Sequence, residues 1–503
     1  MNALFRAWRR DPVTPLGGAI GLAALVSLGP WRPGWLLFKP NRLVGGETYG
    51  AFEVVPGLGW ALAAIWIALI VVGTLVAAGR AGEPGGRGAE RASSRPAGTG
   101  ADGQGTKLLA VAAAILVAAA FVIALLAVGR GATALVDGAP PSARVSLSGG
   151  VWSTVLAVYV AAFGVSAGLP RRWTGSVTLG TLVAVAWVAW SGALADLGLA
   201  RELVSQGSDF RAEIGRHLSL ALTSLLVATL VGIPAAVASA RNDAVARWVL
   251  PTAAFFQTLP SLALFGLLLA PLARLGRAVT VAEALRFGLL LVPAVLVWVF
   301  ARRFRAVGAT RAARFVAALT ALVPLLLLAM VAAVIVNEAL TALFGGGAMP
   351  AWPGPASTLA AVGVRGIGSA PALIALTLYA LLPIVRNTYT GLRGVPDAAI
   401  EAGKGMGMSR GQMLRRVEWP LAMPLVIEGM RAASVLIIGI TTVAYLIGAG
   451  GLGVFIQRGI DQVVPDLVLL GAVPVILLAL AADAVLRGVR TLLTPRGLRE
   501  ESA

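Results

Sequence analysis

Apolar runs about 20 residues long recur along almost the whole of this chain, and they fix its solvent before anything else. A run of that length crosses the hydrocarbon core of a bilayer as a helix, because a helix satisfies its backbone groups internally. The runs do not alternate apolar and polar residues, which excludes the strands of a membrane barrel. Charged residues make up 13% of the chain, against about 25% in soluble domains. The expected fold is therefore all-α: a polytopic helical membrane protein of about 12 transmembrane helices.

The segments expected to cross lie near 15–28, 57–79, 108–128, 150–170, 175–195, 218–240, 249–272, 286–300, 316–340, 371–390, 421–448 and 466–487. The first follows Arg6, Arg9 and Arg10, the pattern of a signal peptide or signal anchor. Pro30 and the lack of an A-x-A site favour a retained helix. The loop 30–56 carries Trp31, Trp35 and Tyr49, residue types that populate the membrane interface and in principle also cage quaternary ammonium groups. Residues 80–107 form a basic Gly/Ser-rich linker expected to be disordered. Gly100 and Gly105 have the spacing of a phosphate loop, but Thr106-Lys107 follow in the wrong order and no strand precedes them.

The net charge of +18 is topological. Lys and Arg concentrate in 80–107, at Arg171-Arg172, in 301–315, in 391–420 and in the tail, which the positive-inside rule places in the cytoplasm with both termini. A nucleic-acid partner gains no support from it. Zero cysteines exclude a disulfide framework and thiolate metal sites, and His217 is the single histidine. No catalytic constellation, no metal-ligand spacing and no complete G-x4-G-K-[ST] loop is present, so the chain is expected to have no ATPase site and no bound cofactor of its own.

One polar stretch stands out between late apolar segments: "VPDAAIEAGKGMGMSRGQMLRRVEWP", 395–420. Pro396 suits a first helical position, and Asp397 and Glu401 place negative charge where the helix dipole favours it. Val395, Ala398, Ala399, Ala402 and Met406 recur at helical spacing, and Gly405 and Gly407 then break the helix. Ser409 and Gln412 form a capping box for a second short helix expected to end at Pro420. Small residues on one face suit docking into a groove; a plain solvated loop is the alternative.

These residues resemble the EAA coupling loop of ABC importer permeases, E-A-A-x3-G-x9-I-x-L-P. The match runs through Glu401, Ala402, Gly407, Val417 and Pro420, and departs at Gly403 and Trp419. Gly403, in place of alanine, is expected to loosen the docking helix by roughly 0.5–1 kcal/mol. The blocks 257–273, 371–392 and 446–459 resemble the glycine betaine/choline osmoprotectant permeases, as do "PNRLVGGE" and the long N-terminal extension.

The resemblance implies a type I permease-like core over 218–488, preceded by an extension, 1–217, with about five helices, and followed by a cytoplasmic tail, 489–503. An inserted helical hairpin, 286–340, is expected to pack on the periphery of the core. The implied partners are cytoplasmic ABC ATPase subunits, which hydrolyse the ATP, a second permease subunit of the same or a different chain, an extracytoplasmic solute-binding protein, and lipid of a bacterial inner membrane. Asp397, Ala398, Glu401, Ala402, Gly403, Met406, Gly407 and Met408 would couple to the ATPase, and Pro260, Pro383 and Arg386 are candidates for a pathway or gate. An ion-coupled secondary transporter and a non-transporting scaffold or sensor are the rival readings.

Overall fold

The computed structural model describes residues 13–26, 34–41, 45–81, 102–166, 171–289, 311–346 and 354–494. Among them ten helices are long and apolar enough to cross a membrane, and Val13–Leu25 is a shorter apolar helix. Most of the segment expected at 286–300, most of the 301–315 turn, most of the linker and the end of the tail lie outside the described residues. The chain divides into two compact units, Met1–Ser205 with Val464–Asp466, and Gln206–Val463 with Leu467–Ala503.

In the first unit, helix α1 (Val13–Val26) packs against α3 (Pro56–Ala81) and α5 (Gly149–Ser166), and α4 (Asp102–Val136) packs on α3 and α5. Close approach is the reason for the glycines of α1. A Cβ on Gly21 would stand 2.3 Å from the Trp66 ring, and one on Gly17 would stand 2.6 Å from the Ala161 backbone. Small residues four apart let membrane helices meet at backbone distance, where van der Waals contact replaces the missing hydrophobic drive. Helix α6 (Arg171–Trp190) lies against α4 and is otherwise exposed.

Two expectations change here. Part of the 30–56 loop is ordered as strands β1 (Leu36–Lys39) and β2 (Glu47–Tyr49), followed by a short helix α2 (Ala51–Val54). With β3 (Arg144–Leu147) the strands make an antiparallel sheet in the order β2-β1-β3, and Trp35 beside it is buried rather than interfacial. The phosphate-loop lookalike is also resolved: Gly105 and Lys107 lie in the first turns of α4. Residues 196–217 are largely helical as well, forming α7 (Gly198–Ser205) and the start of α8.

The second unit is built around α8 (Gly207–Arg241), α13 (Ser369–Arg393) and α16 (Trp419–Thr441), which pack on one another. Around them run α9 (Asp243–Thr258), α10 (Ser261–Ala278), α11 (Val281–Leu289), α12 (Arg311–Gly345) and α18 (Pro465–Leu493). The span expected at 249–272 is broken at Leu259-Pro260, because proline has no N–H to continue the ladder. Helix α12, the second half of the expected hairpin, packs along α8 and buries Val334 and Asn337. Its other described contacts are with α11 and α13.

Candidate functional site

Helix α13 ends where Gly394 donates its N–H to Thr390 O, at 2.9 Å, and Val395 tucks inward. Pro396 lies one position outside the next helix, α14 (Asp397–Gly405), as its N-cap. Asp397 in the first turn and Lys404 in the last both complement the dipole. Gly407 stops the helix. It adopts φ +72°, its N–H bonds Lys404 O at 2.9 Å, and the Met408 N–H bonds Gly403 O at 3.1 Å. That double closure is a Schellman motif, which needs a left-handed residue and so a glycine.

The capping box forms as expected. Ser409 N–H donates to Gln412 Oε1 at 2.8 Å, and Gln412 N–H donates to Ser409 Oγ at 3.4 Å. The helix it starts, α15 (Arg410–Met413), does not end at Pro420. It widens into a π turn, Leu414–Glu418, and runs directly into α16. Trp419 N–H reaches back to Leu414 O, and this wider turn relieves the clash a proline ring makes with the preceding turn.

The expected apolar face divides in two. Val395 and Gly403 are buried, and Ala399 is half-buried on the inner side, whereas Ala398, Ala402 and Met406 are exposed. These last three are spaced four apart, so they form one outward stripe, with Met406 68% exposed at its end. Asp397, Glu401 and Gly407 are exposed around the stripe, and Met408 is half-buried. Gly403 is a packed position. A Cβ there would stand 2.6 Å from Met413 Cε and 2.8 Å from its Sδ, so the buried Met413 side chain occupies the room an alanine methyl would take.

Two ion pairs hold this turn to the α8–α9 corner. Arg241 at the end of α8 meets Glu418 at 2.5 Å, and Arg393 at the end of α13 pairs with Asp243 at the start of α9. Beneath them Leu392, Ala422 and Val426 are buried among Ile233, Val237 and Trp419. Any force on α14 therefore meets three long helices at once.

Pro260 and Pro383 lie elsewhere, within the bundle, and one residue that sequence reasoning did not single out joins them. Tyr379, one turn before Pro383, donates its hydroxyl to the carbonyl of Leu259, immediately before Pro260. Pro383 also crosses α16 closely: a Cβ on Gly429 would stand 2.8 Å from its carbonyl oxygen. Arg386 is exposed. Arg431 and Glu428 of α16 form a network with Asp483, Arg487 and Arg490 of α18, which bolts those two helices together.

At the far end of α8 the glycine turn 448–453 folds over the helix. Gly451 N–H donates to Glu213 at 2.6 Å, and Leu452 N–H donates to His217 Nδ1 at 3.4 Å. His217 Nε2 lies 3.1 Å from Ile438 O. The neutral tautomer with its proton on Nε2 meets both bonds, so the lone histidine is a structural strut. Among the described residues no cluster of acids and histidine is arranged to hold a metal.

Residues 304–496 match the family described as the binding-protein-dependent transport system inner membrane component. This part of the chain is similar to the permease domains of binding-protein-dependent importers. Residues 100–200 match the N-terminal domain of the ABC transporter permease YehY. Similar curated proteins include the choline transport system permease protein OpuBB of Bacillus subtilis, 46% identical over 134 residues, which are 27% of this chain and 62% of that protein. The carnitine transport permease protein OpuCB of Listeria monocytogenes is 47% identical over 135 residues, 27% of this chain and 62% of its own length. The osmoprotectant import permease protein OsmW of Salmonella typhimurium is 46% identical over 135 residues, 27% of this chain and 63% of its own. The chain thus spans about 62% of the length of the first of these relatives. The permease-domain match takes in α12 and contains the whole 394–420 turn.

Proposed function

We propose that this chain is the membrane-spanning permease subunit of an ATP-driven importer for small osmoprotectants such as glycine betaine or choline. The observation that carries the reading is the outward stripe Ala398–Ala402–Met406, set on a rigidly closed helix inside the permease domain. A partner ATPase groove takes such a stripe by close packing. Closure of two ATPase subunits then moves α14, and the Arg241–Glu418 and Arg393–Asp243 pairs pass the motion into α8, α9, α13 and α16. Helices joined at the Leu259–Tyr379 contact rock between outward-open and inward-open arrangements. The ATP is hydrolysed in the partner, and this chain works as a transport subunit in a bacterial inner membrane with both termini cytoplasmic. A second permease subunit, of this chain or another, completes the path, and an extracytoplasmic binding protein delivers solute.

The test is copurification of the full chain with its ATPase, together with solute uptake by cells. Uptake that stops when the ATPase active site is inactivated supports the importer. Uptake that survives that inactivation but collapses with the ion gradient would favour a secondary transporter. A chain that copurifies with no ATPase and moves no solute is a scaffold or sensor.

A further inference from the structure

Arg216 lies 25 residues before Arg241 on α8, about 37 Å along the helix at 1.5 Å per residue. Around it the start of α8, the last turns of α12, the segment before α13 and the glycine turn enclose a cavity of about 410 Å³. That volume falls within the roughly 300–1,000 Å³ of small-molecule sites.

Two adjacent residues of α12 give the cavity its chemistry. Asn337 is 3% exposed and lines the space, and its buried side-chain carbonyl oxygen has no hydrogen-bond partner. Buried acceptors are normally paired, so this one calls for a donor or a positive charge. Glu338 lines the same space; its carboxylate accepts a 3.1 Å hydrogen bond from Ser369 and joins no ion pair among the described residues. Arg216, by contrast, is neutralised by Glu213 at 2.6 Å. Gly363, at φ +99°, lies against Glu338, and a Cβ there would stand 3.7 Å from the carboxylate. Two residues further on, Arg365 also lines the cavity, its Nε fixed by Ala360 O at 2.8 Å. Among the described residues that line the space the charged side chains are Arg216, Glu338 and Arg365.

We propose that this cavity binds a small solute with a positively charged nitrogen, the cationic end at Glu338 beside the buried Asn337. When the solute is a zwitterion, its carboxylate is held by Arg365. The proposal rests on the importer reading and names the point at which solute first meets this chain. It also assigns α12 a role in recognition.

The test is equilibrium binding of radiolabelled choline and glycine betaine to the full chain in lipid nanodiscs, without partners. Saturable binding of both is expected. Glu338→Gln, which keeps an acceptor for Ser369, should weaken both by about tenfold or more, the scale of losing a charge contact in a partly buried site. Arg365→Gln should weaken glycine betaine and leave choline, which has no carboxylate, unchanged. Absence of saturable binding to the native chain, or wild-type binding by Glu338→Gln, overturns the site. Equal loss of both solutes in Arg365→Gln overturns the assigned orientation. Normal uptake by cells carrying Glu338→Gln would sink the cavity and leave the importer standing. Saturable, Glu338-dependent binding without ATP-dependent uptake would do the reverse.

Discussion

The two ends of the second unit are built from similar parts and put them to opposite uses. At the α14 end, a glycine with positive φ closes a helix so that small apolar side chains face outward. At the far end, Gly448, Gly450 and Gly451, also with positive φ, fold a turn inward over α8, where Glu213 and His217 hold it. One end presents a convex knob, and the other encloses a concave polar space. Glycine specifies a backbone turn, but the neighbours of that turn decide whether it projects or closes. If the proposed dock and the proposed solute cavity are these two features, transmission and solute contact are kept apart on the same helices.

The sharpest way to break this contrast is to spoil the knob alone. Ala402→Trp adds bulk to the exposed stripe. Gly407→Asp forces a non-glycine residue into the left-handed region, at about 1–2 kcal/mol, and sets an unpaired charge in a packed dock. Both variants should insert at normal levels while uptake and ATPase copurification are lost together. Normal uptake by both, at normal expression, would remove the 394–420 turn as the transmission point.

The converse change belongs at the other end. His217→Phe leaves the Leu452 N–H and Ile438 O without their side-chain partner, each at about 1–3 kcal/mol. The purified chain should melt at a clearly lower temperature while ATPase copurification stays normal. A fall in ATPase binding with unchanged Tm would show that the ends are not separate. A milder change tests the link between them. Glu418→Gln removes the charge facing Arg241, which is 41% exposed and therefore screened, so the stability cost is about 1 kcal/mol or less. The ATPase should stay bound while uptake falls severalfold. Unchanged uptake would mean that the buried Leu392–Ala422–Val426 contact carries the motion by itself.

The smallest effect is expected at Gly403. Alanine there gains about 0.5–1 kcal/mol of helix propensity but must push aside the end of the Met413 side chain. Uptake should remain near normal, and adding Met413→Leu should leave it so. A large loss from Gly403→Ala alone would show that the α14–Met413 contact, rather than the outer stripe, sets the dock.

Much of this was legible in the chain itself. Apolar length dictates helices, because lipid offers the backbone no partner. The Ser409–Gln412 capping box and the stop at Gly407 followed from local geometry, since each depends on residues only a few positions apart. The inward turn of Ala399, the filling of Gly403 by Met413 and the π turn that absorbs Pro420 were not legible. Nor were the bridge from Tyr379 to the proline break at Leu259-Pro260 and the packing of α12 along α8. Each is set by residues far apart in sequence, and an apolar run carries no mark of which flank meets protein and which meets lipid. Hydrophobicity chose the solvent and local hydrogen bonding chose the caps. Only the packing of α8, α12, α13 and α16 decided which small residues point outward and which polar ones close around a cavity.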